Sequence, residues 1–198
     1  MGALVSFLSS AGVVRNARTS PKNLPTSSSV MVTTQDRGRV AKSNVRLFRN
    51  WSTSSEWIRG AINIRHSQVS AAEWDIVPFD QRKPYSKRLA KDIKRFLQTP
   101  NPHNSSFRSL IEPVVEDLLV LDAGCIEKVR NLKGELVQLW PVDGGTIRVS
   151  ALWDGSNPDE ARYFWYPDMV ERARFKDDEL IYMMLNPRSF TPIGLSPM

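Results

Sequence analysis

The side chains that most often carry catalysis or bind metals are few in this chain and far apart. The only histidines are His66 and His103, and the only thiol is Cys125. Metal and nucleophile sites need such side chains at short fixed spacings or in matched pairs, and these three show neither. Cys125 lies in a stretch that alternates like a buried strand, where a thiol packs as a small apolar group. We therefore expect structural or solvated histidines and a structural cysteine.

Three consecutive acids offer a second kind of chemistry, because clustered carboxylates can hold a divalent cation. They are Asp177, Asp178 and Glu179. Consecutive side chains point in different directions, so we interpret the run as an acidic turn. A metal-dependent nuclease that uses these three acids is the alternative hypothesis.

Further acids, at positions 112, 116, 117 and 122, recur along one predicted helix and its end. We expect them to face solvent and to add solubility. The glycines fall at predicted turns and form no phosphate-binding loop. The sequence thus shows no catalytic set, no metal ligands and no cofactor site, and it predicts a protein that is not an enzyme.

Basic residues dominate the first fifty positions. The chain of 198 residues has a net charge of +6 and a pI near 9.7, a balance that favours polyanionic partners. Residues 1–50 differ from the rest of the chain: the stretch 10–34 is rich in Ser, Thr, Asn and Pro and poor in large apolar residues, and Asp36 is the only acid of the fifty. Such a segment cannot bury enough apolar surface to offset its ordering entropy. We expect an extended basic arm, either solvated or ordered on DNA or another protein, ahead of a folded domain at 51–198.

Eight basic residues are candidate contacts with another subunit, another partner or DNA. They are Arg37, Arg39, Lys42, Arg46 and Arg49 in the arm, Arg65 on the first predicted helix, and Lys91 and Arg95 on the second. For Arg65 the alternative is a packed stem with a solvated head. For the second helix it is a plain solvated face.

The candidate residues must be positioned by a hydrophobic core, and we expect the stretch Phe107–Val129 to form the centre of that core. Its apolar residues from Leu110 to Leu121 share one half of a helical circumference, which indicates a helix with one buried face. Gly124 is expected to end this helix, and residues 125–129 then alternate like a strand.

Other elements follow from the same kinds of pattern. Ser54 is the expected N-cap of a first helix whose apolar face carries Trp57, Ile58, Ala61, Ile62 and Val69. Residues 71–79 predict a strand, and residues 85–98 a second amphipathic helix. Strands are expected at 125–130, 136–142, 146–150, 161–166 and 180–185, with a hairpin turn in which Gly134 takes positive φ. The result is an α+β fold of amphipathic helices packed on mainly antiparallel strands.

Cysteine content and hydropathy indicate the redox compartment of the chain and whether it crosses a membrane. One cysteine cannot form an internal disulfide, which fits a reducing compartment. No apolar run approaches the roughly 20 residues that cross a bilayer. The prediction is therefore a protein without a membrane partner.

The chain resembles the portal (head–tail connector) proteins of bacteriophages, in their siphophage-like form. Five pieces carry the resemblance, in order: Glu56–Arg65 with Val69; Trp74–Pro78; Pro100–Pro102 leading to Phe107, Val114–Leu119 and Asp122–Gly124; Gly134–Leu136 with Leu139–Asp143; and Asp178–Tyr182 with Gly194–Pro197. Together they cover about residues 50–198. The resemblance implies a portal wing-type domain, and the family's stem, clip and crown regions are not represented here.

The resemblance also implies a function. Portal subunits form a ring, generally a dodecamer, at one capsid vertex, and double-stranded DNA passes through it during packaging and ejection. The implied partners are other copies of the chain, the major capsid protein, the terminase large subunit and then the head–tail adaptor or neck proteins. The implied locations are the virion and, during assembly, the host cytoplasm. A basic nucleic-acid-binding module with a disordered arm stays open as the alternative.

Overall fold

The computed structural model of the protein describes residues 38–79 and 86–198. Within these residues four helices and seven strands form an α+β arrangement. The helices are α1 Val45–Ser54, α2 Glu56–Ser70, α3 Lys87–Gln98 and α4 Phe107–Leu121. The strands are β1 Arg39–Val40, β2 Gly124–Arg130, β3 Leu136–Val142, β4 Ile147–Ser150, β5 Tyr163–Trp165, β6 Ala173–Phe175 and β7 Leu180–Met183. None of the helices in these residues is long and apolar enough to cross a membrane.

Helix α4 is the core element that its apolar pattern predicts. Its buried side chains include Leu110 and Leu121, both fully enclosed. The helix begins in a capping box, in which the Ser106 hydroxyl accepts the Ser109 backbone N–H at 3.1 Å and the Ser109 hydroxyl accepts the Ser106 N–H at 3.2 Å.

A proline inside α4 leaves one backbone carbonyl without its usual helical donor. Pro113 has no N–H, so the carbonyl of Ser109 four residues earlier loses that bond. The side-chain amide of Asn104 donates to this carbonyl instead, at 2.8 Å. Asn101 in turn orients Asn104, because its side-chain oxygen accepts the Asn104 N–H at 2.7 Å. The loop before α4 therefore compensates for the proline.

The end of α4 differs from the prediction. The helix ends at Leu121, and Asp122 takes the left-handed conformation with φ of 56°. Gly124 is already the first residue of β2, so the prediction that Gly124 ends the helix is wrong. Aspartate tolerates this conformation better than most residues. It is held here because its carboxylate is bonded within the fold, as described below.

All strand pairs of the described residues are antiparallel and form two sheets. The three-stranded sheet has the order β3-β2-β7, with Cys125 opposite Val142 and Tyr182. The β2–β3 hairpin is as predicted, and Gly134 has φ of +78°. The four-stranded sheet has the order β1-β4-β5-β6. Strands β1 and β6 lie outside the predicted set.

The core formed by the described residues consists of three apolar clusters. One fills the space between strands of both sheets and contains Val40, Ile147 and Tyr163. A second lies among α1, α2 and α4, around Ile62 and Val120. A third joins α3 and α4 to β2 and β3, and the partly buried Phe96 and Leu97 pack against it. The prediction of helices packed on antiparallel strands is confirmed.

The predicted extended arm is wrong in its last part. Val40 pairs with Val149 in the four-stranded sheet, and α1 begins at Val45 and crosses the predicted boundary at residue 50. Sequence composition misses this because β1 is only two residues long and relies on a distant strand. The earlier part of the predicted arm, residues 1–37, lies outside the described residues.

The predicted strand at 71–79 is also wrong, because no described strand pairs with these residues. They run irregularly beside α3 and α4 instead. The Trp74 ring lies 4.8 Å from that of Phe107, and the Asp75 carboxylate bonds Lys94 at 2.8 Å. Two further apolar residues, Val77 and Phe79, are 72% and 96% exposed, while Ile76 is partly buried.

Helix α2 is buried over a narrower face than predicted. Ile62 is buried, but Trp57 is 90% exposed, and Ala61 and Val69 are exposed too. Among the described elements, only α1 and α4 pack closely against this helix, and one side of its apolar face is not covered by them. The N-cap position is Ser55 and not Ser54, which is the last residue of α1.

Candidate functional site

Two polar junctions and one exposed apolar surface stand out in the fold. The first junction joins α1 to α4 and to the turn before β4. Arg49 on α1 contacts the carboxylates of Asp117 at 2.7 Å and Asp143 at 2.8 Å. Asp117 also accepts the backbone N–H of Gly144 at 2.9 Å. We call these residues the Arg49 junction.

Burial governs the charge state of the Arg49 junction. Asp117 is 6% exposed, and this burial raises the pKa of its carboxyl to about 6, although Arg49 and the Gly144 N–H favour the ionised form. The two carboxylates raise the pKa of Arg49 despite its partial burial. We predicted a solvent-facing Asp117, and that prediction is wrong, because its side of α4 is covered by α1 and by the turn at Gly144.

The second junction lies at the other end of α4. The buried carboxylate of Asp122 accepts the backbone N–H groups of Leu185 and Asn186, which follow β7. Gly194 packs directly on this carboxylate, since a Cβ at residue 194 would lie 1.8 Å from Oδ2. Lys42 donates to the Gly194 carbonyl at 2.6 Å. We call these residues the Asp122 junction. The expectation of a solvated Asp122 is wrong.

The electrostatics of Lys42 reflect its position in this junction. Burial lowers its pKa to about 8, against the opposing effect of the Asp122 charge. The Ser196 hydroxyl adds a further tie by donating to the Val120 carbonyl at 2.7 Å. The loop after β7 is thereby fixed to the end of α4 and to the segment before α1.

The predicted contact residues divide into two groups. Arg39 is 11% exposed, lies 3.7 Å from the centre of the Phe164 ring and pairs with Glu171, so it is engaged within the chain, as are Lys42 and Arg49. The others that the structure describes are exposed: Arg46, Arg65, Lys91 and Arg95. Arg37 lies outside the described residues. Contact between any of the eight and a partner stays a prediction.

The three consecutive acids lie in the turn before β7, each with its own partner. Asp177 pairs with Arg162 at 2.5 Å, and Asp178 lies 3.7 Å from Arg130. Glu179 accepts the backbone N–H of Lys176 at 2.8 Å. Across residues 38–79 and 86–198, no three His, Cys, Asp or Glu side chains are grouped so as to hold a metal ion.

The histidines and the cysteine are not brought together. His66 lies on α2, and the His103 ring lies 5.3 Å from that of Trp140. Cys125 is fully buried in β2, and burial raises the pKa of its thiol well above the usual value.

The exposed apolar surface lies on the first two helices. Trp57 and Ile64 on α2 are 90% and 61% exposed, and Leu47 and Trp51 on α1 are 42% and 44% exposed. Trp57, Ala61 and Ile64 are spaced by four and then three residues, so they lie along one face of α2. We call Trp57, Ala61 and Ile64 the α2 stripe. An outward apolar face of this kind is typical of an interaction surface.

Comparison with known proteins finds a shared fold among solved structures. No family model matches the chain, and no curated protein matches it. A chain from the structure described as "Neck of empty GTA particle computed with C6 symmetry" is similar to it, with a TM-score of 0.61 and 16% identity over 80% of this chain and 41% of that one.

A second structure, described as "Neck of native GTA particle computed with C12 symmetry", gives a TM-score of 0.58 and 16% identity over 81% of this chain. The protein spans 41% of the matched neck chains. At this identity the likeness shows a shared fold.

Proposed function

We propose that this chain is the wing portion of a portal subunit in a phage or phage-like particle. The observation that carries the proposal is the fold, which is shared over 80% of the chain with a protein of a GTA particle neck. The five ordered sequence pieces described above support the same assignment. In this role the chain is a structural protein of the head–tail connection.

The proposed role is assembly around DNA. Copies of the chain form a closed ring, a dodecamer, at one capsid vertex, and double-stranded DNA passes through the ring during packaging and ejection. The matched neck structures were computed with sixfold and twelvefold symmetry, which supports a ring of this order. The partners proposed are the major capsid protein, the terminase large subunit and then the neck proteins.

No covalent step is assigned to this chain. Its buried carboxylates, Asp117 and Asp122, are bonded to backbone N–H groups and hold secondary-structure elements together. The acids before β7 pair with neighbouring basic or backbone groups. In this proposal the energy for DNA movement comes from the terminase.

The α2 stripe is our candidate for a contact between copies. A tryptophan that is 90% exposed leaves a large apolar area in water, and covering it in an assembly is favourable by about 25 cal/mol per Å². A ring provides such cover on every subunit at once, because each copy presents the same surface.

Electron microscopy of the purified protein tests the proposal directly. Closed rings are expected for the natural sequence, and their loss is expected for Trp57→Ser combined with Ile64→Ser. Far-UV circular dichroism is expected to stay unchanged in this variant, because both side chains face outward. A matched control is Leu132→Ser, which removes a fully exposed apolar side chain at the hairpin tip and should leave rings intact.

A persistent monomer of the natural protein would contradict the portal assignment. Tight, sequence-selective DNA binding by that monomer would favour the nucleic-acid-binding module instead. Immunogold labelling of particles gives a second test, since a portal is expected at a single vertex and a capsid subunit over the whole shell.

A further inference from the structure

A groove lies where β3 turns into β4, between the two sheets. It has a volume of about 380 Å³ and is lined by Glu127, Trp140, Pro141, Val142, Asp143, Thr146, Trp165 and Pro167. Two tryptophans and two prolines therefore share one concave surface, with one carboxylate on β2 and one after β3. The groove has no residue in common with the α2 stripe, so the two are separate surfaces of the same chain.

The aromatic walls of the groove are held in place by neighbouring groups. The Trp140 indole N–H donates to the Gln138 side chain at 2.9 Å, and the His103 ring packs edge-on against Trp140. Trp165 is fixed in β5, where it pairs with Ile147. Side chains that are already ordered lose little freedom when a partner binds, so this surface is suited to receive an apolar group.

The charge of the groove is negative. Glu127 is half-buried, and no donor among the described residues bonds to its side chain. Burial, followed by the nearby charge of Glu179, raises the pKa of its carboxyl. Asp143 adds a second carboxylate, which is shared with Arg49. A cation placed beside Glu127 would stabilise its charged form, so an occupant that brings a basic side chain fits best.

A ring places a requirement on the α2 stripe. In a cyclic assembly of more than two copies, each subunit contacts its two neighbours through two different surfaces. A contact between the stripes of two copies gives a twofold pair, which leaves no stripe free for a third copy. In the ring proposed above, the stripe therefore needs an acceptor surface elsewhere on the neighbouring copy.

We propose that the α2 stripe of one copy docks in the groove of the next copy. The inference rests on the proposed ring and names the two surfaces that would meet in it. Trp57 and Ile64 are exposed on α2 with the small Ala61 between them, so both larger side chains can enter a concave surface. At Gly60, beside the stripe, an added Cβ would meet no other described residue within 4 Å, so the approach is open.

The two surfaces also match in charge and in the kind of apolar group. Arg65 is exposed and follows Ala61 by four residues, so it lies along the flank of the stripe. Docking would bring its guanidinium to Glu127, and it would bring the Trp57 ring to the groove tryptophans, where aromatic pairs gain from edge or offset contact. The stripe and its basic flank thus fit the aromatic groove and its acid.

Disulfide cross-linking between copies tests which surfaces meet. One full chain carries Ala61→Cys in the stripe and a second carries Thr146→Cys in the groove, and the two are co-expressed with different tags; Cys125 is fully buried and stays out of the reaction. Under mild oxidation the pair should form mixed disulfide dimers at least about tenfold faster than either variant alone, because the contact raises the local concentration of one thiol at the other. Lys133→Cys, exposed at the hairpin turn, replaces Ala61→Cys in the matched control and should cross-link slowly.

A charge exchange tests the recognition step. Glu127→Arg and Arg65→Glu should each weaken association by about tenfold or more, because each places like charges across the contact. The double variant should recover association, which a purely structural role of either residue would not produce. Glu160→Arg and Lys133→Glu make the same charge changes at exposed positions outside both surfaces and should have no effect. Sedimentation velocity measures the association of all five variants.

Cross-linking that is as fast in the Ala61→Cys variant alone as in the mixture would overturn the proposal, since it would show a contact between stripes. Rings of the Glu127→Arg variant that are as abundant as those of the natural protein would also overturn it and would leave the portal assignment in place. Specific cross-linking of residues 61 and 146 in subunits that associate without closing into rings would support the contact and reject the ring.

Discussion

The Arg49 junction makes a prediction whose size and pH dependence both follow from its geometry. We consider Arg49→Met, which keeps the apolar stem and removes the charge. Breaking a buried ion pair by removing one partner costs about 3–5 kcal/mol. The Arg49 side chain is 34% exposed, so solvent screens part of the interaction. We therefore expect a loss of about 2 kcal/mol in the free energy of unfolding at pH 7.5.

The pH dependence follows from the raised pKa of Asp117. Its pKa is about 6 in the folded protein and about 3.9 in the unfolded chain. A raised folded pKa means that stability is fully present below pH 4 and is lost as the pH rises through 6, by about 3 kcal/mol for this group. At pH 5 the buried carboxyl is mostly protonated and needs no cation. The loss caused by Arg49→Met should then fall to about 1 kcal/mol, left from the Asp143 contact and packing.

Urea denaturation at pH 5.0 and pH 7.5, followed by circular dichroism, measures both values. The control is Arg46→Met on the same helix, an exposed arginine that pairs with no described carboxylate; its effect should stay within about 0.5 kcal/mol at both pH values. An Arg49→Met loss that is equal at the two pH values would refute the reasoning, because it would show that the ionisation of Asp117 does not control the junction.

Three further predictions concern stability and reactivity. Gly194→Ala should destabilise the fold by about 3 kcal/mol or more, because its Cβ would displace the Asp122 carboxylate, whereas Gly60→Ala, with open space around it, should be neutral or stabilising by up to about 1 kcal/mol; urea denaturation compares them. Ser106→Ala should cost about 1 kcal/mol by the same assay, since it removes the cap of α4. The Cys125 thiol should react with a disulfide reagent only after unfolding, and fast reaction of the native protein would contradict its burial.

Local patterns predicted the elements that are long and periodic. The α4 helix and the β2–β3 hairpin follow directly from apolar spacing and from a glycine suited to positive φ. Strand β1 could not be predicted in this way, because two residues carry no pattern and Val40 pairs with Val149, more than one hundred residues away. Residues 71–79 alternate like a strand but meet no free sheet edge.

The functional residues were harder to predict. A helical wheel assigns every acid to solvent, yet Asp117 and Asp122 are buried because distant backbone N–H groups and a basic residue reach them. One signal was available: a buried apolar run that ends in Asp-Ala-Gly places a carboxylate where the chain must turn. The ion pairs that Arg39 and Arg49 form with acids of the same chain could not be predicted either, because those acids are distant in the sequence.

The Asp122 junction has a mechanical consequence. A tension applied at the carboxyl end of the chain meets the Ser196 bond to the end of α4 and the Lys42 bond to Gly194 before it can reach β7. Strand β7 is the edge of its sheet, and edge strands are the easiest to peel away. These two bonds transfer the force to the buried helix α4 and to the segment before α1. Strand β7 is therefore not the first element to be separated from its sheet.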